Sequence, residues 1–451
     1  MSTALIILAA GQGTRMKSDL PKVLHQIAGA PLLVHAMKSG AGFAPERTIV
    51  VAGHGAEQVA AAARSFDDTA EVVLQEQQNG TGHAVQMAET ALADFSGDVI
   101  VLYGDTPFIQ PGTLSRMAEA RRDHDVVVLG FEAADPGRYG RLIMQGSVLE
   151  KIVEFKDATD QERAITLCNS GVIMADAKTL FSLLSDVTDD NASGEYYLTD
   201  IVGLATQQGH CATSVTCAEA ETMGINSRAQ LAEAEAAFQS RARAAALENG
   251  VTMQAPETVF LAHDTVIGRD SEIEPNVVFG PGVSIESGAR IRAFSHLEGC
   301  HVARGAIVGP YARLRPGAEL AENVHVGNFV EIKNAALAAG AKANHLSYIG
   351  DASVGEATNI GAGTITCNYD GVMKHRTEIG ARAFIGSNTM FIAPVTLGDE
   401  AMTATGTTVN KDVPGGAMAI SRAEQVNKPG FARKLMKMLR AKKVRQMKES
   451  G

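Results

Sequence analysis

Residues 265–297, TVIGRDSEIEPNVVFGPGVSIESGARIRAFSHL, return a large apolar residue every six positions, at Ile267, Ile273, Phe279, Ile285, Ile291 and Leu297. Four positions after most of these stands something small or β-branched: Ser271, Val277, Val283 and Ala289. A period of six matches neither the alternation of a half-buried strand nor the 3.6-residue period of a helix. It fits short strands that turn a corner every six residues, two side chains of each hexad pointing inward. After a slip of one residue the register resumes at Val302, Val308, Leu314, Leu320, Val326 and Ile332. It recurs at Val354 and Ile360, then at Ile379, Ile385, Phe391, Leu397, Thr403 and Val409. With three hexads per coil the pattern predicts a parallel β-helix of roughly nine coils, strands pairing with the coils above and below. An antiparallel sheet domain would instead show alternation broken at hairpin turns.

Upstream, residues 1–226 alternate β-branched runs (ALIILAA at 4–10, RTIVVAG at 47–53, EVVLQ at 71–75, DVIVLYGD at 98–105) with helical stretches such as 56–66 and 82–93. That alternation predicts a Rossmann-like α/β domain with a mostly parallel sheet, its ligand crevice at the carboxyl ends of the strands. Between the two patterns, 227–250 holds strong helix formers with no Pro before Asn249-Gly250 stops it, and reads as a linker helix opening at Ser227. The expected organisation is therefore 1–226, a helix over 227–250, and a β-helix domain over 251–451 ending in a basic tail.

Composition narrows the function. The 451 residues are 45% hydrophobic and 20% charged, with a net charge of −11. So acidic a chain is a poor nucleic-acid binder, because displacing counterions from a phosphate backbone takes surplus Lys and Arg. No apolar run reaches the length of a membrane span, and Ala4 to Ala10 lacks the basic flank of a signal peptide. Five cysteines without paired ligand spacing suit reduced thiols in a cytoplasmic protein. The tail, 431–451, carries eight Lys or Arg against one Glu and reads first as a solvated or helical extension, with membrane contact the less favoured alternative.

Two stretches carry chemistry. LAAGQGTRM at 8–16 follows the first strand, where glycines let backbone amides approach phosphates and Arg15 neutralises them; Lys22, in Leu20-Pro21-Lys22, adds a second cation beside the same loop. Read without that context, the loop is a tight turn with two surface cations. Asp105, at the end of the strand around 99–103, offers a hard oxygen for a divalent cation or, alternatively, caps a helix. In the second half, 344–371 (NHLSYIGDASVGEATNIGAGTITCNYDG) interrupts the hexads with His345, Tyr348, Asn359, Asn368 and Tyr369, polar groups that a coil does not need. His345 is the candidate base for an acyl transfer, since imidazole titrates near neutrality. From Thr366 the next in-phase residue is Ile379, so 367–378 contain an extra loop bearing Lys374, His375 and Arg376.

LAAGxGTRM followed by LPK resembles the sugar-nucleotide pyrophosphorylases. With QNGTGHA at 78–84, YGDTP at 103–107, YGRL at 139–142, VEFKDA at 153–158, NSG at 169–171, GEYYLTD at 194–200 and GIN at 224–226, the chain resembles the bifunctional N-acetylglucosamine-1-phosphate uridyltransferase/glucosamine-1-phosphate acetyltransferase family over nearly its whole length. The resemblance implies a left-handed hexapeptide prism. It also implies two reactions: acetylation of glucosamine-1-phosphate from acetyl-CoA, then transfer of UMP from UTP to N-acetylglucosamine-1-phosphate, feeding peptidoglycan and lipopolysaccharide precursors.

For the uridyl site the resemblance implies Leu8, Ala9, Ala10, Gly11, Gly13, Arg15 and Lys22 around the phosphates. It places Gln75, Gly80 and Thr81 at the uracil, Tyr103 and Gly104 beside Asp105, and Gly140, Glu154 and Asn169 at the amino sugar. Asn226 would partner Asp105 in holding Mg²⁺. For the acetyl site it implies Arg315 and Lys333 at the sugar phosphate, with Tyr348, Asn359 and Lys374 binding or orienting the sugar. Ala362, Asn368, Tyr369, Ser387, Thr405 and Arg422 would meet acetyl-CoA. A homotrimer, its loop 367–378 reaching a neighbour, completes the expectation. Two competing readings, a pyrophosphorylase whose β-helix only assembles subunits and a scaffold with a relic α/β domain, leave His345, Asn368, Tyr369 and Arg422 without work.

Overall fold

A computed structural model describes residues 2–449 and divides them into two compact units. Among the described residues the first comprises 2–248 with Val259–Thr265 and Phe279–Gly282; the second takes Asn249–Thr258, Val266–Val278 and 283–449. The helix Arg228–Glu248 thus counts with the first unit rather than standing apart as a linker, and two short pieces of the following chain count there too.

The first unit is built on a nine-stranded sheet. Its main strands are β1 (Thr3–Ala9), β2 (Arg47–Ala52), β3 (Glu71–Leu74), β4 (Asp98–Tyr103), β5 (Val126–Glu132), β6 (Arg141–Gln145), β7 (Val148–Val153), β8 (Leu167–Asp176) and β9 (Ala212–Cys217). They run in the order β9-β5-β8-β4-β1-β2-β3, with the β6–β7 hairpin attached to β8. Along that order all neighbours are parallel except β8, antiparallel to both β4 and β5; the β6–β7 hairpin is antiparallel, as is its pairing with β8. Near-continuous runs such as ALIILA and VIVL are buried on both faces, one packing with Val59 and Ala63 of the helix Ala56–Phe66, the other with Leu180 and Leu184 of Ala177–Ser185. The helical stretch expected over 82–93 is a short helix, Thr81–Gln86, followed by a 3₁₀ turn at Thr90–Leu92.

In the second unit every coil strand is parallel to those one coil away. The inward residues form ladders: Ile273 pairs with Ile291, then Val308, Val326, Ala343, Ile360, Ile385 and Thr403. All are buried at 3% exposure or less, and each buried aliphatic contributes roughly 1.5–3 kcal/mol. The register explains each slip of phase. Coils rise by 18 residues from Ile267 to Ile285, by 17 from Ile291 to Val308, and by 18 again from Val308 to Val326. Between Ile332 and Val354, where the hexads faded, the core continues at Leu337, Ala343 and Ile349 after a further one-residue slip. One coil is 25 residues long, with Ile360 over Ile385 and Val354 over Ile379; the excess is the extra loop.

Candidate functional sites

The first site grows from the loop after β1. Gly13 lies at φ 64°, and a Cβ there would come within 2.5 Å of Lys22 Cβ, so glycine lets the loop fold onto the lysine. Gln78 Nε2 donates to Ala10 O at 2.6 Å and holds the loop from the other side. Between them opens a cavity of about 330 Å³ lined by Leu8, Ala9, Ala10, Gly11, Lys22, Gln75, Gly80, Thr81, Tyr103 and Asp105, with Gln78 and Glu195 besides. Gly104 N donates to Leu8 O at 2.9 Å and ties the ends of β1 and β4 together.

Lys22 Nζ forms a short ion pair with Asp105 Oδ2 and donates to Asn226 Oδ1 at 3.1 Å. Asn226 is brought there by the start of the helix Arg228–Glu248. Ser227 Oγ accepts from Gln230 N–H at 3.2 Å, and Gln230 Oε1 accepts from Asn226 N–H at 2.9 Å. One carboxylate and one amide oxygen therefore converge on a point held by an ammonium group. Both are hard donors, and the lysine charge there is the stand-in for a cation; the pair fits a magnesium ion whose other ligands are phosphate and water. Among the described residues no cluster of three or more His, Cys, Asp or Glu offers a denser metal site.

Gln75 is oriented through its Nε2, which contacts Gly80 O and His83 Nδ1, each at 3.1 Å. Gly80 has φ 110°, and a Cβ would stand 2.6 Å from Tyr196 O. Next to this cavity, Asn169 N donates to Gly140 O at 2.9 Å, and Glu154 lies within van der Waals reach of Gly140. Burial raises the Glu154 carboxyl above its ordinary range, opposed by the Thr199 hydroxyl donating at 3.1 Å and reinforced by Asp200 and Asp157. Tyr103 is also pushed up, first by burial and then by Glu154. Arg15 is exposed on the 3₁₀ turn Thr14–Met16, outside the cavity lining.

Arg141 was absent from the expected set. It is 1% exposed, and its guanidinium donates to the backbone carbonyls of Tyr139, Gly137 and Arg163. It fixes the backbone leading into Gly140, and among the described residues no carboxylate pairs with it.

The second site lies on the prism. His345 Nδ1 meets Asn328 Oδ1, one coil below, at 2.9 Å, and the amide oxygen can only accept. The imidazole proton is thereby assigned to Nδ1, leaving Nε2 with its lone pair. His345 O accepts from Gly363 N–H at 3.3 Å, so the imidazole strand underlies the corner at Ala362. Asn388 N donates to Ala362 O, Gly406 N donates to Ser387 O, and Arg422 Nη1 donates to Thr405 O at 3.0 Å. Ala362, Ser387 and Thr405 therefore mount one corner of the prism, coil over coil, with Arg422 at the top. Because Arg422 meets the carbonyl of Thr405, the contact is independent of that side chain.

Around Asp351 the polar residues interlock. Asn334 Nδ2 donates to Asp351 Oδ1 at 2.6 Å, while Asn368 Nδ2 makes a short bond to Oδ2 and a 3.5 Å contact to Tyr348 Oη. Burial alone would raise Asp351, but these donors, with Lys374 and Lys333, hold it below the ordinary range. Lys333 is driven down by the neighbouring Lys374, and Arg315 adds to the repulsion. Arg315 Nη1 is paired with Glu331 Oε1 at 2.9 Å. Three cations crowded together call for an anion. On the extra loop Tyr369 and Lys374 form an antiparallel bridge, Tyr369 Oη donates to Gly371 O, and Asp370 accepts from Val372 N, Met373 N and His375. Asn359 sits on the neighbouring coil strand, paired with Lys342 below and Phe384 above.

A nucleotidyltransferase fold followed by a hexapeptide prism, each with its own polar cluster, defines a two-domain transferase. Residues 5–170 match the MobA-like NTP transferase domain, and residues 264–299 match the bacterial transferase hexapeptide (six repeats). The chain is similar to the bifunctional protein GlmU of Ruegeria sp. (strain TM1040), 72% identical over 448 residues covering 99% of this chain and 100% of that protein. It is 70% identical over 450 residues to that of Ruegeria pomeroyi, 100% of both chains being covered, and 67% identical over 440 residues to that of Cereibacter sphaeroides, covering 98% of this chain and 97% of that protein. The chain belongs to the GlmU family. It is a bifunctional enzyme of UDP-N-acetylglucosamine synthesis, a nucleotidyltransferase and an acetyltransferase on one polypeptide.

Proposed function

We propose that the two chemistries divide between the two clusters, and that the residues named above carry them. The uridyl reading rests on one observation: the oxygens of Asp105 and Asn226 meet at the Lys22 ammonium beside the loop cavity of about 330 Å³. UTP would lie in that cavity, its uracil against Gln75, Gly80 and Thr81, its phosphates along the amides of 9–13. Gly140, Glu154 and Asn169 hold N-acetylglucosamine-1-phosphate. Its phosphate oxygen attacks the α-phosphorus in line, the bond to the β-phosphate bridging oxygen breaks, and pyrophosphate leaves. The nucleophile is already anionic, so no protein base is needed and the work is orientation and charge neutralisation. Mg²⁺ held by Asp105 and Asn226 would neutralise triphosphate charge there. Lys22, no longer tied to those oxygens, turns its charge to the phosphates. Arg15, exposed on its turn, must close over them when they bind.

On the prism, glucosamine-1-phosphate sets its phosphate among Arg315, Lys333 and Lys374, beside Tyr348 and Asn359. Acetyl-CoA extends along the corner of Ala362, Ser387 and Thr405, with Arg422 at its phosphates and Asn368 and Tyr369 near the acetyl end. His345 Nε2 removes a proton from the amine, the nitrogen attacks the thioester carbonyl, and the C–S bond breaks to release coenzyme A as thiol. Ser387 stabilises the tetrahedral oxyanion. Side-by-side prisms in a homotrimer would bring the loop 367–378 of one copy to the site of the next. Five free thiols and the absence of a spanning helix among the described residues are consistent with work in the cytoplasm.

The test is one assay with glucosamine-1-phosphate, acetyl-CoA, UTP and Mg²⁺, following free thiol and UDP-sugar separately. His345→Ala should abolish thiol release yet leave UMP transfer to N-acetylglucosamine-1-phosphate intact. Loss of both together, in a folded protein, would refute the division.

A further inference from the structure

The C-terminal helix Phe431–Glu449 is used by neither chemistry. Every residue from Phe431 to Met447 is exposed. Phe431, Leu435, Met438 and Leu439 follow the i, i+4, i+7, i+8 spacing of one helix face, and they are 52%, 40%, 60% and 50% exposed. Over 431–440, Arg433, Lys437 and Arg440 occupy the opposite face and Lys434 flanks the apolar one; in the following turns Lys442 and Arg445 fall in line with the apolar residues, so the apolar stripe ends at Leu439. Of the chain's 40 Lys and Arg, eight lie in 431–451, against one of its 51 Asp and Glu. A strongly basic helix therefore projects from a strongly acidic protein. It follows 420–428, which form neither helix nor strand and span up to roughly 30 Å when extended.

We propose that this helix docks on an anionic lipid surface, lying in the headgroup plane with Phe431, Leu435, Met438 and Leu439 turned into the acyl boundary. Four large apolar side chains on one face, cations on the other over 431–440 and further cations beyond need a partner that is apolar and anionic at once, and the edge of an anionic bilayer supplies both. A nucleic acid would pair the cations but leave the apolar face in water. The enzyme would then be held peripherally at a membrane, with no segment crossing it.

The chain contains no Trp, so a single introduced indole reports without background. Full-length protein carrying Leu439→Trp is mixed with vesicles of phosphatidylcholine alone or with one-third phosphatidylglycerol. The expected result is a blue-shifted emission and at least roughly tenfold more co-sedimentation with the anionic vesicles, weakened by high salt. Leu435→Asp with Leu439→Asp, which keeps every cation, should return co-sedimentation to background while both transferase activities stay unchanged. The proposal falls if neither vesicle binds the protein, or if binding survives the double Asp variant. It also falls if the indole emits blue-shifted before lipid is added, because the apolar face is then covered by another copy or by the body of the protein.

Discussion

Replacing Lys22 with Ala should pull apart two properties that a merely structural lysine would change together. Its side chain and that of Asp105 are 13% and 17% exposed, so the pair is largely screened from water. At an effective dielectric of about 20, two unit charges near 4 Å interact by about 4 kcal/mol. The loss of one such contact to phosphate charge in the transition state costs about 3–4 kcal/mol, two to three orders of magnitude in turnover. Yet the same ammonium occupies the oxygens of Asp105 and Asn226, the two ligands that a divalent cation would take. With the ammonium gone, those oxygens are open. Mn²⁺ should therefore bind the nucleotide-free variant more tightly than the parent, while kcat for UMP transfer falls roughly 100- to 1000-fold. Titration of Mn²⁺ by electron paramagnetic resonance and a pyrophosphate-release assay read the two effects, and thiol release from the acetyl site serves as the internal control. Unchanged turnover, or weaker metal binding in a variant whose acetyl transfer is normal, would refute the reasoning.

Asn328→Ala should slow acetyl transfer about tenfold to 100-fold by freeing the His345 ring, and should alter its pH profile without touching UMP transfer. Glu154→Gln tests the raised carboxyl. A folded-state pKa above the unfolded one makes the neutral acid the stabilising form, so that contribution is present at low pH and lost as pH rises through the raised value. The Gln variant should melt at a higher temperature than the parent at pH 8, the gap closing towards about pH 4, while KM for N-acetylglucosamine-1-phosphate rises. Gly13→Ala should lower UMP transfer with little change in acetyl transfer, since its Cβ cannot share space with Lys22 Cβ. Asp351→Ala should raise KM for glucosamine-1-phosphate, because Asn334 and Asn368 lose their common acceptor and Lys333 and Lys374 a neighbouring anion.

How far a sequence could be read depended on whether the decisive contact was periodic, local or remote. The hexads repeat because each inward side chain meets its counterpart one coil away, so ladders such as Ile273–Ile291–Val308 imprint a period on the chain. The period was lost at 333–353 because one-residue slips still satisfy the same parallel pairing, and the eye follows phase where the fold follows register. Likewise the loop 8–16 announced itself by glycines and cations close together in sequence. Gln78, Asn328, Arg141 and Asp351 left no such mark. Gln78 acts on a carbonyl 68 residues away, Asn328 on a ring 17 residues away, and Arg141 on three carbonyls, functions that a polar side chain can perform anywhere in a sequence. Arg15 belongs to the same legible stretch, but the left-handed turns at Gly13 and Lys17 leave its short 3₁₀ turn exposed, so its nearness in sequence does not fix its distance from the ligand oxygens, which Lys22 already meets.

Three of those silent residues, together with Gln230, share one physical role in the two sites. Gln78 acts on the carbonyl of Ala10, Arg141 on the backbone flanking Gly140, and Gln230 on the amide of Asn226, while Asn328 sets the proton position on His345. Each spends its polarity inside the protein so that a neighbour's polarity is aimed at substrate. Charge that meets substrate must be left partly unpaid by the fold: the crowded Lys333 and Lys374, and the carboxyl of Glu154 held above its usual range, are interactions that folding alone would remove. It follows that variants relieving this strain, Lys374→Met as much as Glu154→Gln, should stabilise their units in the absence of ligand and weaken substrate binding. For Lys374→Met, calorimetry with and without glucosamine-1-phosphate would show it: a higher melting temperature alone, and a smaller upward shift when the sugar phosphate is added. A variant that lowered the unliganded melting temperature would mean that the lysine pair serves the fold rather than the substrate.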